Sequence, residues 1–167
     1  PVKVGQRMKI VERNMNIVFE DAKAYGTLTK TFEGILFIVA STEPLNDGND
    51  DPDLDVYEKP FTTTITRNII FVKVRNTDNP RLNWAISEVS LPAGGTPTEN
   101  IAIEKVKIHM PDGEIIEIDS PLDYYLSRGP SLQRQIPSFS RLEDVLVEVE
   151  IKSIYSVADF VTLTYGA

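Results

Sequence analysis

Near the C-terminal end the chain reads Val145-Leu146-Val147-Glu148-Val149-Glu150-Ile151-Lys152. Val145, Val147, Val149 and Ile151 fall on one side of an extended backbone, and Glu148, Glu150 and Lys152 on the other. That period of two marks a strand with one face buried and one face in water. Working outward, similar strand-like runs occur at 8–12, 16–20, 26–32, 35–40, 61–67, 69–75, 82–91, 101–110, 114–118 and 160–165. The reading is ten or eleven short strands.

The separators carry turn chemistry. Asn76-Thr77-Asp78-Asn79-Pro80, Pro92-Ala93-Gly94-Gly95-Thr96-Pro97 and Pro111-Asp112-Gly113 combine proline, which presets one dihedral, with glycine, asparagine or aspartate, which accept the awkward ones. Residues 101–118 therefore read as a hairpin around Pro111-Asp112-Gly113. Within it Ile103 and Val106 both look core-facing although an odd number of steps separates them, so a bulge is expected between them.

One short helix is expected at 120–128. Ser120 would be its N-cap, Pro121 suits the first helical position, Asp123 would close a capping box, and Gly129-Pro130 would stop it. Many short strands with a single helix predict an all-β, antiparallel β-sandwich of jelly-roll or immunoglobulin-like type. At 167 residues the chain is expected to form one domain, 1–167, with 1–13 as an extended N-terminal arm.

Composition narrows the chemistry. The chain has no Cys, one His and one Trp, with 17 basic against 25 acidic residues. Disulfides and thiolate metal sites are excluded, and a lone imidazole leaves little for histidine-dependent hydrolysis. His109 shares its strand face with Lys105 and Lys107 and is read as a surface residue. Glu148 with Glu150, and Glu114 with Glu117, are candidate glycosidase acid pairs, but any i, i+2 acids on a strand, as at 148 and 150, meet that distance, and charged solvent faces are the default. The expectation is a protein that is not an enzyme. Trp84 alternates with Leu82 and Ile86 and is assigned to the core, while Tyr57, Tyr124 and Tyr125 are candidate exposed aromatics.

The formal charge of -8 is concentrated. Glu43, Asp47, Asp50, Asp51, Asp53, Asp55 and Glu58 follow one another with no base between them, so the rest of the chain is nearly neutral. Nucleic acid is not expected as a partner, because phosphate binding needs a basic face. No apolar run approaches the length of a membrane-spanning helix, so membrane insertion is not expected either.

From Asp47 to Glu58 the acids also fit the spacing of a twelve-residue calcium loop. Asp47, Asn49, Asp51, Asp55 and Glu58, with a carbonyl from Asp53, could supply the six to eight oxygens that a hard cation takes. Two features depart from that pattern: Pro52 stands where the loop needs glycine, and the flanks read as strands rather than helices. Calcium is the one cofactor the sequence raises.

The functional expectation is a non-enzymatic structural subunit, a homo-oligomer or larger assembly such as a capsid, tail or surface-filament component, joined through strand and arm contacts. Val2, Lys3, Val4, Arg7 and Lys9 are the expected contact residues, since a terminal strand can add to a neighbour's sheet edge. The setting this implies is a virion or an extracellular surface. The alternative is a calcium-stabilised binding or adhesion module with a glycan or protein ligand.

Overall fold

The computed structural model describes residues 2–41, 54–98, 100–127, 140, 143–156 and 161. Nearly all of them lie in antiparallel β-structure arranged as two sheets. The all-β expectation holds at that level.

The larger sheet is dominated by three strands of unusual length: β1 (Val2–Glu20), β2 (Lys23–Ser41) and β3 (Leu54–Lys73). At about 3.3 Å per residue each spans roughly 60 Å. The six short strands expected over 8–75 are thus three long ones, because the residues read as breaks are accommodated within the ladders. Gly34 sits opposite Met8, where an added Cβ would overlap the Arg7 carbonyl oxygen. Near Arg13 the pairing absorbs one extra residue between Ile10 and Glu12 and continues. A two-residue turn joins β1 to β2, with Asp21 at φ 49, a left-handed conformation that aspartate tolerates better than most residues.

Beyond β3 lie β4 (Trp84–Ser90) and β8 (Tyr125–Ser127), while β5 (Ala93–Gly95) pairs with β3 further along. The switch from β4 to β5 leaves a gap in the ladder between Ile69 and Thr66. Ser90, only 2% exposed, fills it: its Oγ accepts from the Asn68 N–H at 2.8 Å and donates to the Leu91 carbonyl at 2.8 Å. Gly94 is required where β5 crosses β3, since a Cβ there would overlap the Thr64 carbonyl oxygen.

The smaller sheet has the order β7-β6-β9, with β6 (Ile101–His109), β7 (Ile115–Ile118) and β9 (Leu146–Ser153). The expected hairpin forms, and Gly113 at φ 90 supplies the turn. The expected bulge is present between Ile103 and Lys105. In β9 the burial alternates residue by residue, as the opening stretch of sequence requires.

The helix over 120–128 is not formed. The Ser120 hydroxyl does reach the Asp123 carboxylate, and Asp123 N–H bonds to the Ser120 carbonyl, but this closes a single turn. Tyr125, Leu126 and Ser127 then extend and pair with Ser90, Val89 and Glu88. A capping box nucleates one turn, and the vacant edge of β4 offers the next residues more than helix propensity does. The only helical turn among the described residues is a 3-10 turn, Pro80–Leu82, which Asn79 caps. The two sheets are not arranged in a demonstrable jelly-roll or immunoglobulin pattern.

Candidate self-assembly surface

Register assigns each side chain of the long sheet to a face. On one face lie Val4, Met8 and Ile10 of β1, then, past the bulge, Met15, Ile17 and Phe19; β2 adds Leu28, Phe32, Leu36 and Ile38, and β3 adds Tyr57, Phe61, Ile65 and Phe71. This stripe is largely apolar, interrupted by Arg13, Lys30, Thr63 and Arg67 near its middle, by Gln6, Asp55 and Lys59 toward the far end, and by Lys73 at the near end. Arg13 faces Lys30 directly across the strands, a like-charge pair that is unfavourable unless an anion approaches. None of the three central cations has an ion-pair partner among the described residues.

The opposite face is divided. Through the middle of the strands it is polar, with Glu12, Asn14 and Asn16 beside Thr27, Thr29 and Thr31 and Thr64, Thr66 and Asn68, while closer to the β1–β2 turn it carries Val18, Tyr25, Ile70 and Val72. Hydrogen bonds tie that ladder together: Thr29 to Thr66 at 3.3 Å, and Thr27 to Asn68 at 3.2 Å. Toward the far end Ile35, Phe37, Val39, Val56 and Pro60 make this face apolar too, and Lys3, Arg7 and Lys9 lie along its rim. The Arg7 guanidinium sits 5.6 Å from the Phe37 ring centroid, and Lys9 is 4.0 Å from Glu33.

These faces are not covered within the chain. Every described side chain of β1 is exposed, including Val4 at 66% and Phe19 at 64%. Of the described apolar residues only Ala24 and Ile69 are buried. Trp84, assigned to the core from its alternation, is half-buried and packs edge-on against Phe19 at 5.4 Å between ring centroids.

The expected contact residues therefore sit together on one sheet edge. Lys3, Val4, Arg7 and Lys9 lie in β1 opposite Val39, Ile38, Ile35 and Glu33, and the Val2 backbone pairs with Ala40. The arm is thus a strand of the chain's own sheet whose outer edge has no partner strand among the described residues. The apolar stripe was not singled out from the sequence, although the alternation at 2–10 and 35–40 carries it. Tyr57, an expected exposed aromatic, is exposed at 63%, whereas Tyr124 and Tyr125 are half-buried.

The expected calcium ligands are not brought together where they are described. Asp55 and Glu58 lie in regular strand, paired with Ala40 and Phe37, and an odd number of steps places their carboxylates on opposite faces. A twelve-residue loop would need both on one ion. Asp47, Asn49, Asp51 and Asp53 lie outside the described residues. Among the described residues no cluster of three or more metal-ligating side chains occurs.

On the small sheet the titratable groups pair with one another. Lys107 Nζ is 3.0 Å from Glu150, Lys105 is 3.7 Å from Glu117, and His109 Nε2 is 3.3 Å from Glu148. The hydrogen bond from Lys107, and then its charge, hold the Glu150 carboxyl below the ordinary carboxylate range, and the same bond raises Lys107. The two lysine contacts match an acid with a base across adjacent strands, whereas His109 Nε2 makes no hydrogen bond to Glu148. A cleft of about 800 Å³ lies where Met8, Gly34, Ile35, Pro60 and Phe61 approach Pro97, with Arg7, Lys9 and Glu33 at its margin.

Fold and surface together define an all-β chain with a long sheet, open-edged among the described residues, that is apolar over most of one face and on part of the other. No protein-family model matches it, and no curated protein or solved structure matches it significantly.

Proposed function

We propose that this chain is a non-enzymatic structural subunit that assembles with further copies of itself through its long sheet, as the building unit of a shell, tube or filament of the kind found in virions or on cell surfaces. The observation that carries the reading is the area left uncovered. The chain exposes 13210 Å². A folded monomer of its 18.7 kDa exposes roughly 8,300 Å² by the usual scaling of surface with mass. Among the described residues the large apolar side chains that meet water are most numerous on β1, and a contiguous exposed apolar surface marks an interaction site. Burying several thousand Å² per subunit is the regime of obligate assemblies.

Negative-stain electron microscopy with sedimentation velocity tests the proposal. Shells, rings, tubes or filaments are the expected result, and a homogeneous monomer over the working concentration range overturns it. Imaging in calcium and again in chelator places calcium: particles lost only in chelator would make the acidic segment a calcium-dependent joint.

A further inference from the structure

We infer that the subunits join edge to edge, the outer edge of β1 in one copy adding to the free edge of β3 at 54–63 in the next, so that the long sheet continues from subunit to subunit. The inference rests on the self-assembly reading above and goes beyond it by naming the joint.

Two edges are open, and they differ. Among the described residues β1 has no outer neighbour along its length, and β3 is paired on its outer side at 64–66, by β5, and at 69–73, by β4. Joining two unlike edges is a heterologous contact, which closes into a ring or propagates as a helix. An isologous dimer would leave one kind of edge exposed in both copies.

Charge selects the pairing. From 2 to 10 β1 carries Lys3, Arg7 and Lys9 and no acid, whereas the free part of β3 carries Asp55 and Glu58 against one base, Lys59, which stands on the other face from Glu58. Because β1 and β3 both run antiparallel to β2, they run parallel to one another, and a neighbour related by rotation presents its β1 parallel to β3. The rows of the sheet then run on without a shift. Glu58 shares its row with Phe37 and Gly5, so across the joint it meets the next copy's Gly5, flanked on the same face by that copy's Lys3 and Arg7. Glu58 has no ion-pair partner among the described residues of its own chain. Gly5 has no in-chain reason to be small, since an added Cβ would meet nothing within 4 Å. A close approach from outside supplies one.

The joint is bounded on the β1 side by the bulge, in the row of Thr63, and its β3 edge carries one interruption within it. The regular register of β1 ends at the bulge after Ile10, and the donor row of β3 is interrupted at Pro60, two strands away from Arg7.

The chain has no native Cys, which makes the test direct. Val4→Cys and Tyr57→Cys alter two exposed positions in one row and leave Lys3, Arg7 and Glu58 intact. Within one chain the two are separated by Ile38, about 9.6 Å or two strand spacings apart, beyond the roughly 7 Å limit for a disulfide. Across the joint they are neighbours. On mild oxidation an equimolar mixture of the single variants should give a covalent heterodimer, neither variant alone should crosslink, and the double variant should give a ladder of covalent multimers. Crosslinking of Val4→Cys alone overturns the joint in favour of β1 against β1. Particles visible by microscopy without any crosslink overturn the joint and leave the assembly reading standing; no particles and no crosslink overturn both. A second pair guards against a variant that misfolds: Glu58→Lys should raise the concentration needed for assembly about tenfold at low salt, and Arg7→Glu in the same chain should restore it. A double variant no better than the single one overturns the charge pairing.

Discussion

The two sheets answer the same problem, a strand with two faces, in opposite ways. In the small sheet Lys105, Lys107 and His109 meet Glu117, Glu150 and Glu148, so its outer face is finished with side chains that match each other in water. Its inner face, with Val106, Ile108, Ile116, Val147 and Val149, is half-covered. In the long sheet the apolar stripe from Val4 to Phe19 is bare, and cations stand opposite cations at Arg13 and Lys30. A surface matched within one chain is built for solvent. On the proposed reading, a surface unmatched in both apolar area and charge is left for a neighbour.

The largest effect should come from charging the bare stripe. Ile38→Asp, at the centre of the Val4, Ile38 and Tyr57 row, is expected to weaken assembly by roughly 30-fold or more, the scale of an interface hot spot. Sedimentation velocity reads the change, and circular dichroism should show the β-structure retained. An equal loss from a charge on the outer face of the small sheet would erase the contrast between the sheets.

Next come two substitutions within the long sheet, where β4 gives way to β5 against β3. Gly94→Ala forces a side chain against the Thr64 carbonyl and should cost about 1–3 kcal/mol in denaturant unfolding. Ser90→Ala leaves the Asn68 N–H without its acceptor in a buried position and should cost about 1–3 kcal/mol, with Ser90→Thr recovering part of it. If both variants unfold like the parent chain, the switch from β4 to β5 is not what fixes that side of the long sheet.

The smallest effect belongs to the ion ladder. Glu150 titrates lower folded than unfolded, so its contribution is complete above its unfolded pKa and disappears as the pH falls through the depressed folded value. Lys107 titrates higher folded, so its contribution is complete below its unfolded pKa and disappears as the pH rises through the raised one. Glu150→Gln should therefore flatten the acid limb of the melting temperature against pH, and assembly near neutrality should be unchanged.

What could be read from the sequence followed from local chemistry. The alternation over 145–151 produced β9, Pro111-Asp112-Gly113 produced its turn, and the slip between Ile103 and Val106 produced a bulge, because side-chain period and turn dihedrals depend on neighbours along the chain. Exposure of the N-terminal contact residues was legible for the same reason. Strand length was not. Whether Gly34 or Arg13 ends a strand depends on a partner that accepts a glycine or absorbs a bulge, and only pairing with β2 decides that. The fate of 120–128 likewise turned on the vacant edge of β4 rather than on its capping residues. The divergence of Asp55 and Glu58 also belongs to tertiary structure: equal spacing in sequence converges on a wound loop and alternates on a strand, and pairing with β2 makes this segment a strand. By itself the sequence determined which faces are apolar and which are charged; only the pairing of distant strands decided which of them the chain leaves uncovered.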